Sequence, residues 1–202
     1  EIVRLAKKHD AYVVVDDAHG VGVLGDHGRG TCNHFGLTDE VGLIIGTFSK
    51  SLASVGGFVA GDADVMHYIQ HTARPLMFSA SMLPASVATV SAALDIMLEE
   101  TWRHEALWRN NDLMRERLRE AGFHPGPSAT PIIPAVVGED MSAFLMCTRL
   151  AEESVFVNPV VQPGVPQGQE LLRISLMATH TDRQIDFALE KLGKVGKELG
   201  II

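Results

Sequence analysis

The sequence has only two cysteines, Cys32 and Cys147, which are too few for a disulfide-stabilised scaffold. It has no run of about 18 apolar residues, as a membrane-spanning helix requires, and no visible signal peptide. Basic residues are also scarce, since 17 Lys and Arg stand against 25 Asp and Glu and give a net charge of −8. Because nucleic-acid binding needs clustered Lys and Arg, this composition argues against it. We therefore expect a soluble, reduced, cytoplasmic protein with no membrane span and no nucleic-acid partner.

The chain has enough apolar residues, 46% of 202, to form a core for one domain or two small ones. An α/β pattern up to about residue 100 and an α+β pattern after it predict two domains, 1–100 and 101–202. The sequence opens with a predicted helix over 1–9, which is followed by an apolar strand over 11–15. A helix that leads into such a strand is typical of the second half of a βαβ unit. We therefore expect the chain to be the C-terminal part of a longer polypeptide.

Hydrophobic periodicity and turn residues predict the remaining elements. Pro84 suits the first turn of a long helical stretch that is broken near Thr101 and closed by Gly122. Asp62 or Asp64 can cap the predicted helix over 62–71, which precedes this stretch. The predicted strands are 41–46, 57–60, 132–137, 155–158 and 171–176, and the predicted helices are 62–71, 84–121, 141–151 and 181–199.

Two motifs resemble binding sites but fit them poorly. The stretch Gly20-Val-Gly-Val-Leu-Gly25 matches the dinucleotide fingerprint G-x-G-x-x-G. Further glycines at 28 and 30 prevent the helix that this fingerprint needs, so we expect an irregular loop. The nearby side chains of His19, His27, Cys32 and His34 fit no zinc-ligand spacing, and no metal site is expected.

Asp16, Asp17 and His19 follow the strand over 11–15 at its carboxyl end, the edge where open α/β sheets bind ligands. A carboxylate there is costly unless a cationic group accompanies it. Asp16 therefore has two interpretations. It either binds a ligand, or it caps a loop or pairs with an arginine. His19 alone would more often be a core histidine.

Lys50 follows the next strand, in the stretch Gly46-Thr-Phe-Ser-Lys-Ser51. Burial at a strand end would disfavour its charged form and make the amine available for a Schiff base with an aldehyde. Thr47 and Ser49 can donate hydrogen bonds to a phosphate, and the two glycines Gly56 and Gly57 would allow close backbone approach. The alternative interpretation is a surface lysine at the start of a helix.

Together these residues match the needs of pyridoxal phosphate. That cofactor requires a lysine for its aldehyde, a carboxylate for its pyridinium nitrogen and donors for its phosphate. Asp16 and Lys50 are 34 residues apart, since 50 − 16 = 34, and they follow successive strands. The sequence therefore predicts that both can reach one bound cofactor.

The chain resembles the C-terminal half of the alpha-oxoamine synthase family of fold-type-I pyridoxal-phosphate enzymes. This resemblance implies an α/β fold, with 1–100 in the large parallel-sheet domain and 101–202 forming a small α+β domain. The matching stretches occur in the family's order and cover nearly the whole chain: 15–20, 25–30, 46–51, 56–57, 78–81 and 172–175.

The resemblance also implies roles for individual residues. Lys50 would hold the cofactor and move protons at the substrate's alpha carbon, while Asp16 would pair with the pyridinium nitrogen. His19 would hydrogen-bond the phenolic oxygen, and Thr47 would bind the phosphate. Arg173 would hold the substrate carboxylate, although a structural ion pair is its alternative. In this family two serines are expected at the neighbouring subunit's phosphate, Ser79 and, with less support, Ser81, which implies a homodimer with shared active sites.

The implied reaction is the decarboxylative condensation of an L-amino acid with an acyl-CoA, which releases CO₂ and CoA. The stretches 78–87, 155–160 and 176–181 are similar to bacterial family members that condense serine with palmitoyl-CoA to give 3-ketodihydrosphingosine. Other members use another amino acid or acyl group: the glycine C-acetyltransferase, aminooxononanoate synthase and aminolevulinate synthase types. A further alternative is an inactive fragment or a binding module. The phosphate loop, the ring-stacking residue and much of the CoA site would lie upstream of residue 1.

Overall fold

The computed structural model describes residues 1–202, which form two compact units, Glu1–His104 and Glu105–Ile202. The assignment of 1–100 and 101–202 to two domains of a larger enzyme stays a prediction.

The first unit contains a three-stranded sheet in the order β1-β2-β3. Its strands are β1 (Val14–Asp16), β2 (Leu43–Thr47) and β3 (Gly57–Gly61). The first two strands are parallel, whereas β3 is antiparallel to β2. The sheet is therefore mixed, and the parallel pair places the carboxyl ends of β1 and β2 at one edge.

The helices of this unit largely follow the sequence prediction. They are α1 (Ile2–Lys8), α2 (Thr31–His34), α3 (Ala63–Thr72), α4 (Arg74–Met77) and α5 (Pro84–Glu99). Asp62 caps α3, as predicted, because its side chain accepts a hydrogen bond from the Asp64 N–H at 2.9 Å. The short helices α2 and α4 were not predicted, since four residues are too few for a periodic signal.

Two expectations about the strands of the first unit are wrong. The strand predicted at 11–15 begins only at Val14 and includes Asp16. Several of its apolar side chains and those of the next strands are also exposed rather than buried, including Val14 (50%), Ile45 (38%) and Val59 (43%). Apolar composition shows that a strand favours burial. It does not show that the same 202 residues supply the covering side chains.

The second unit is built on an antiparallel sheet in the order β4-β6-β5. The strands are β4 (Ile132–Val136), β5 (Asn158–Val160) and β6 (Leu171–Ser175). Helix α6 (Trp102–Glu120) leads into this unit, and α7 (Asp140–Glu152) and α8 (Asp182–Glu198) complete it. Its core joins residues of the sheet to residues of the three helices, among them Ile133, Leu172, Leu118, Leu150 and Leu192, each at most 1% exposed.

The boundaries of the long helices were predicted well from local signals. The helical stretch breaks between Glu99 and Trp102, as predicted near Thr101. Gly122 adopts a φ of +96°, which a residue with a side chain rarely tolerates, and closes α6. Thr181 and Gln184 form a capping box at the start of α8.

The strand predicted at 155–158 is displaced in the structure. Residues 155–157 precede the sheet, and β5 begins at Asn158. The apolar run marks a segment that packs against the core, since Val155 is 8% exposed, but strand pairing begins only three residues later. Across the whole chain, no helix has both the length and the apolar content that crossing a membrane demands.

Candidate active site

The site begins at the shared edge of β1 and β2. Asp16 is the last residue of β1 and lies opposite Ile45 in the parallel register. Thr47 ends β2 two residues later, and Lys50 follows in the next turn. Because the two strands are parallel, Asp16 and the turn that contains Lys50 lie at the same edge of the sheet.

Asp16 is exposed, and its Oδ1 accepts a hydrogen bond from the Ala18 N–H at 3.0 Å. One of the two sequence interpretations, a loop cap, is therefore observed, whereas no arginine forms an ion pair with Asp16. The cap uses one carboxylate oxygen only. A contact between the other oxygen and a protonated ring nitrogen is compatible with this arrangement.

His19 is exposed and lies in the turn that follows Asp16. The Asp17 carbonyl oxygen closes this turn, because it accepts hydrogen bonds from the N–H groups of Gly20 at 3.0 Å and Val21 at 3.2 Å. The next α-helix begins only at Thr31, so residues 20–25 form turns and not the helix of a dinucleotide site, as the sequence predicted. The histidine therefore stands beside the carboxyl end of β1.

The expected burial of Lys50 is wrong for this chain, in which the side chain is exposed. The physical reason is its position. Lys50 lies three residues beyond β2, in a turn that the Ala53 N–H closes by donating to the Lys50 carbonyl oxygen at 3.0 Å. These residues therefore do not bury the Lys50 amine, and its position at the sheet edge is what supports its assignment to a cofactor.

Thr47 belongs to a compact group of hydroxyls and backbone atoms before Lys50. Its hydroxyl donates to the Gly56 carbonyl oxygen at 3.2 Å, and its Oγ1 lies 2.9 Å from the Ser49 Oγ. Gly56 has a φ of +107°. A Cβ at Gly57 would lie 2.6 Å from the Gly46 carbonyl oxygen. Only glycine fits these two positions, and the predicted close approach of this backbone to a phosphate stays a prediction.

Ser79 and Ser81 lie in the exposed segment before α5. A serine shortly before a helix that begins with proline often caps that helix, but the residue that caps α5 is Leu83, and no side chain hydrogen-bonds there. This segment also packs near the Thr47 group, because a Cβ at Gly56 would lie 2.5 Å from the Met82 sulfur. The two serines therefore have no capping role, and their assignment to a neighbour's phosphate stays a prediction.

Arg173 lies in the middle of β6, in the second unit, opposite Pro134 of β4 and Asn158 of β5. Its Nε is buried and has no hydrogen-bond partner, and the side chain forms no ion pair. Within these 202 residues Arg173 therefore forms no structural ion pair, and its role at the substrate carboxylate stays a prediction. An arginine with an unused planar N–H suits the recognition of a carboxylate.

Two residues near the predicted site were missed from the sequence. Asp17 is only 2% exposed and binds Thr31, whereas the sequence predicted no role for it. Asn158 lies beside Arg173 across the β5–β6 pairing, which sequence reasoning could not find because it placed the strand three residues too early. A signal for Asp17 was present in the glycines at 20 and 30, which leave room for a buried side chain.

A separate cavity of about 390 Å³ lies in the second unit, beside α8 and the Ile174 side of β6. Arg173 does not line it, and its polar side chains include His180 and Arg183. It is therefore not part of the group of residues described above.

The residues present fit pyridoxal phosphate by their donor chemistry. The first unit offers the lysine Lys50 and the carboxylate of Asp16 at the end of the neighbouring strand. It also offers the hydroxyls of Thr47 and Ser49, near Gly57, where a Cβ would clash with backbone. The second unit offers an arginine with an unpaired Nε. These are the groups that the aldehyde, ring nitrogen and phosphate of the cofactor and the carboxylate of an amino acid would require.

Comparisons with known proteins show the family to which the chain belongs. A sequence model of the family described as aminotransferase class I and II matches residues 1–192. Among curated proteins, the chain is 53% identical over 201 residues to serine palmitoyltransferase of Sphingobacterium spiritivorum and 49% over 202 residues to that of Bacteroides ovatus. It is 43% identical over 202 residues to 8-amino-7-oxononanoate synthase of Thermosipho melanesiensis. Each match covers all of this chain and 50–52% of the relative, so the chain spans about half the length of these relatives.

The fold of the chain is also similar to solved structures of serine palmitoyltransferase. Serine palmitoyltransferase of Sphingomonas wittichii superposes with a TM-score of 0.94 at 33% identity, over all of this chain and 51% of that one. A high-resolution structure of SPT with a PLP internal aldimine superposes equally well, with a TM-score of 0.94, 33% identity and the same coverage.

Proposed function

Because the chain belongs to the aminotransferase class I and II family, we propose that it supplies the cofactor-binding lysine of an alpha-oxoamine synthase. The fold is the predicted fold-type-I α/β fold of pyridoxal-phosphate enzymes. The observation that carries the proposal is the meeting of Asp16 and the Lys50 turn at one edge of the parallel β1–β2 pair. The proposed type of reaction follows from the relatives that the chain resembles. The side chains at this edge would provide the chemical groups that this reaction needs.

When bound, pyridoxal phosphate would act as an electron sink for a carbanion at the alpha carbon of an amino acid. Asp16 would hold the ring nitrogen protonated through its carboxylate charge. His19, in the adjacent turn, would donate to the phenolic oxygen. Both residues would therefore act on the electronics of the cofactor, Asp16 through its charge and His19 through a hydrogen bond.

Lys50 would carry the cofactor and then move a proton to or from the alpha carbon. Its exposed position in a turn gives its four-carbon side chain the freedom to do both. Thr47 would bind the phosphate through its hydroxyl. Because this hydroxyl donates to Gly56 only at 3.2 Å, it can be redirected to an anion at a small cost.

Arg173 would orient the amino acid by binding its carboxylate, and its unpaired Nε is the group that would be satisfied by this contact. Ser79 would reach the phosphate of a neighbouring protomer, with Ser81 as a second candidate. Each active site of the proposed homodimer would then contain residues of both chains.

For the substrates we propose serine and palmitoyl-CoA, which would give 3-ketodihydrosphingosine, CO₂ and CoA. This choice is supported by the identity of 53% and 49% to relatives named serine palmitoyltransferase, compared with 43% to one named 8-amino-7-oxononanoate synthase. A second candidate is therefore an 8-amino-7-oxononanoate synthase, which differs in its amino acid and acyl group.

The test is a substrate matrix with the intact protein that contains this chain, loaded with pyridoxal phosphate. Glycine, L-alanine and L-serine are each combined with short-chain and long-chain acyl-CoAs, and CoA release is followed. The proposal expects turnover to be highest with serine and palmitoyl-CoA. Preference for another pair would replace the proposed substrates, and the absence of CoA release with every pair would overturn the proposed reaction.

A further inference from the structure

Asp17 is a buried acid for which the proposed function has no use. Its side chain is 2% exposed, and no lysine or arginine pairs with it. Its two carboxylate oxygens are instead held by one residue, because Oδ2 accepts from the Thr31 N–H at 2.7 Å and Oδ1 from the Thr31 hydroxyl at 2.5 Å. A buried carboxylate that is retained at such a desolvation cost points to a specific role.

The loop between Asp17 and Thr31 closes tightly around this carboxylate. A Cβ at Gly20 would lie 1.8 Å from Oδ1 of Asp17, and a Cβ at Gly30 would lie 2.1 Å from Oδ2. Gly30 also has a φ of +102°, so it leads into α2 in a conformation that other residues avoid. The two glycines therefore leave space for an acid of the length of aspartate.

The backbone of Asp17 fixes the same region from the other side. Its N–H donates to the Ile45 carbonyl oxygen at 2.7 Å and so extends the pairing of β1 with β2. Its carbonyl oxygen closes the turn that carries His19, through Gly20 and Val21. One residue therefore connects the end of β1, the His19 turn and the start of α2.

We propose that Asp17 is a positioning residue, whose carboxylate holds Thr31 and thereby fixes the Asp16–His19 turn for the cofactor. This inference rests on the proposed function. Aspartate suits the role because both donors of Thr31 need acceptors, and a carboxylate offers two. In asparagine, one of the two positions would be an NH₂ group that faces a donor.

The test compares four variants of the intact protein: Asp17→Asn, Thr31→Val, Thr31→Ser and Thr148→Val. Thr31→Val removes the hydroxyl donor and keeps the shape, whereas Thr31→Ser keeps the donor. Thr148 is the matched control, because it is an exposed threonine of α7 whose hydroxyl donates to the Phe144 carbonyl oxygen at 3.0 Å. The readouts are hydrogen exchange over 18–30 in the cofactor-free protein, the Kd for pyridoxal phosphate, and the pH dependence of the bound cofactor's absorbance.

We expect Asp17→Asn and Thr31→Val to exchange faster over 18–30 and to bind the cofactor more weakly, on the order of tenfold, as loss of a hydrogen bond to a charged group predicts. The pH midpoint of the absorbance should shift in both, since the Asp16 and His19 contacts would be displaced. Thr31→Ser and Thr148→Val should match the wild type in every readout.

The inference is overturned if Thr31→Val melts at a lower temperature but binds cofactor with wild-type affinity and an unchanged absorbance midpoint, since the contact would then serve stability alone. If Asp17→Asn does not fold, the comparison of Thr31→Val with Thr31→Ser tests the inference in its place. Failure of the proposed function has a different signature, namely a wild-type protein that takes up no cofactor.

Discussion

Asp16 lies opposite Ile45 in the parallel pairing of β1 with β2, and Lys50 follows Ile45 by five residues. Parallel strands end at the same edge of a sheet, so this register places an acid and an amine on the side where open α/β sheets bind their ligands. The relationship does not depend on burial, since both side chains are exposed. It is the structural basis of the proposed cofactor site.

Substitution of Asp16 by Asn should lower kcat by about 10²-fold or more, as for other preorganised charges that stabilise a reacting centre. Asparagine keeps the shape and can keep the Ala18 contact, but it loses the charge that would keep the ring nitrogen protonated. Steady-state kinetics of the intact enzyme measures this effect. Asp39→Asn, at an exposed acid of the same unit, is the control. A near-normal kcat for Asp16→Asn would mean that Asp16 only caps the loop.

Substitution of Arg173 by Lys should raise the KM for the amino acid by about tenfold or more, because an ammonium cannot reproduce bidentate binding of a carboxylate. The KM for the acyl-CoA should change little. Arg149→Lys is the matched control, since Arg149 lies on the exposed face of α7 and pairs with Glu198 at 2.9 Å. An unchanged KM for the amino acid in Arg173→Lys would remove Arg173 from the substrate site.

Cys147 should react slowly with alkylating reagents. Burial raises the pKa of its thiol from 9.0 to about 11, so about a hundredfold less thiolate is present near neutral pH. Its alkylation rate should therefore rise steadily as the pH increases toward 11. The rate of a cysteine in a short peptide, by contrast, levels off near the ordinary pKa of the thiol. Mass-spectrometric rates across pH 7 to 11 test this, and a plateau near pH 9 would contradict the raised pKa.

The proposed sharing of active sites between two protomers predicts a specific result for mixed dimers. A Lys50→Ala protomer combined with a Ser79→Ala protomer would place both defects in one site if Ser79 acts across the interface, and the other site would be intact. The heterodimer should then retain about half of the wild-type activity, as expected for one of two sites in a two-fold dimer. If Ser79 acts within its own chain, one site would lack only Lys50 and the other only Ser79, and the heterodimer would have half the activity of the Ser79→Ala homodimer, which would contradict the shared site.

Local signals predicted the elements of this fold better than they predicted what covers them. The caps at Asp62, Gly122 and Thr181 each involve a contact within a few residues, so the sequence contains the whole signal. The exposure of Val14 depends on residues far away in space, which no local pattern records. Strand composition therefore indicated a preference for burial that these residues alone do not satisfy.

In the candidate site, too, some features could be predicted from local sequence and others depend on residues that are distant along the chain. The order of Asp16, Thr47 and Lys50 along the chain, together with parallel pairing, was enough to predict that they share a sheet edge. The contact between Asp17 and Thr31 was not predicted, because it joins residues 14 positions apart through an irregular loop. Periodicity does not extend through such a loop, so its packing could only be read from the structure.

The most direct test of the account is the identification of the lysine that carries the cofactor. The intact protein is incubated with pyridoxal phosphate, the Schiff base is reduced with borohydride, and the modified peptide is found by mass spectrometry. The account predicts that the pyridoxyl group is on Lys50 and that a Lys50→Ala variant loses both this label and turnover. A label on another lysine, or turnover by the variant at ordinary cofactor concentrations, would contradict it.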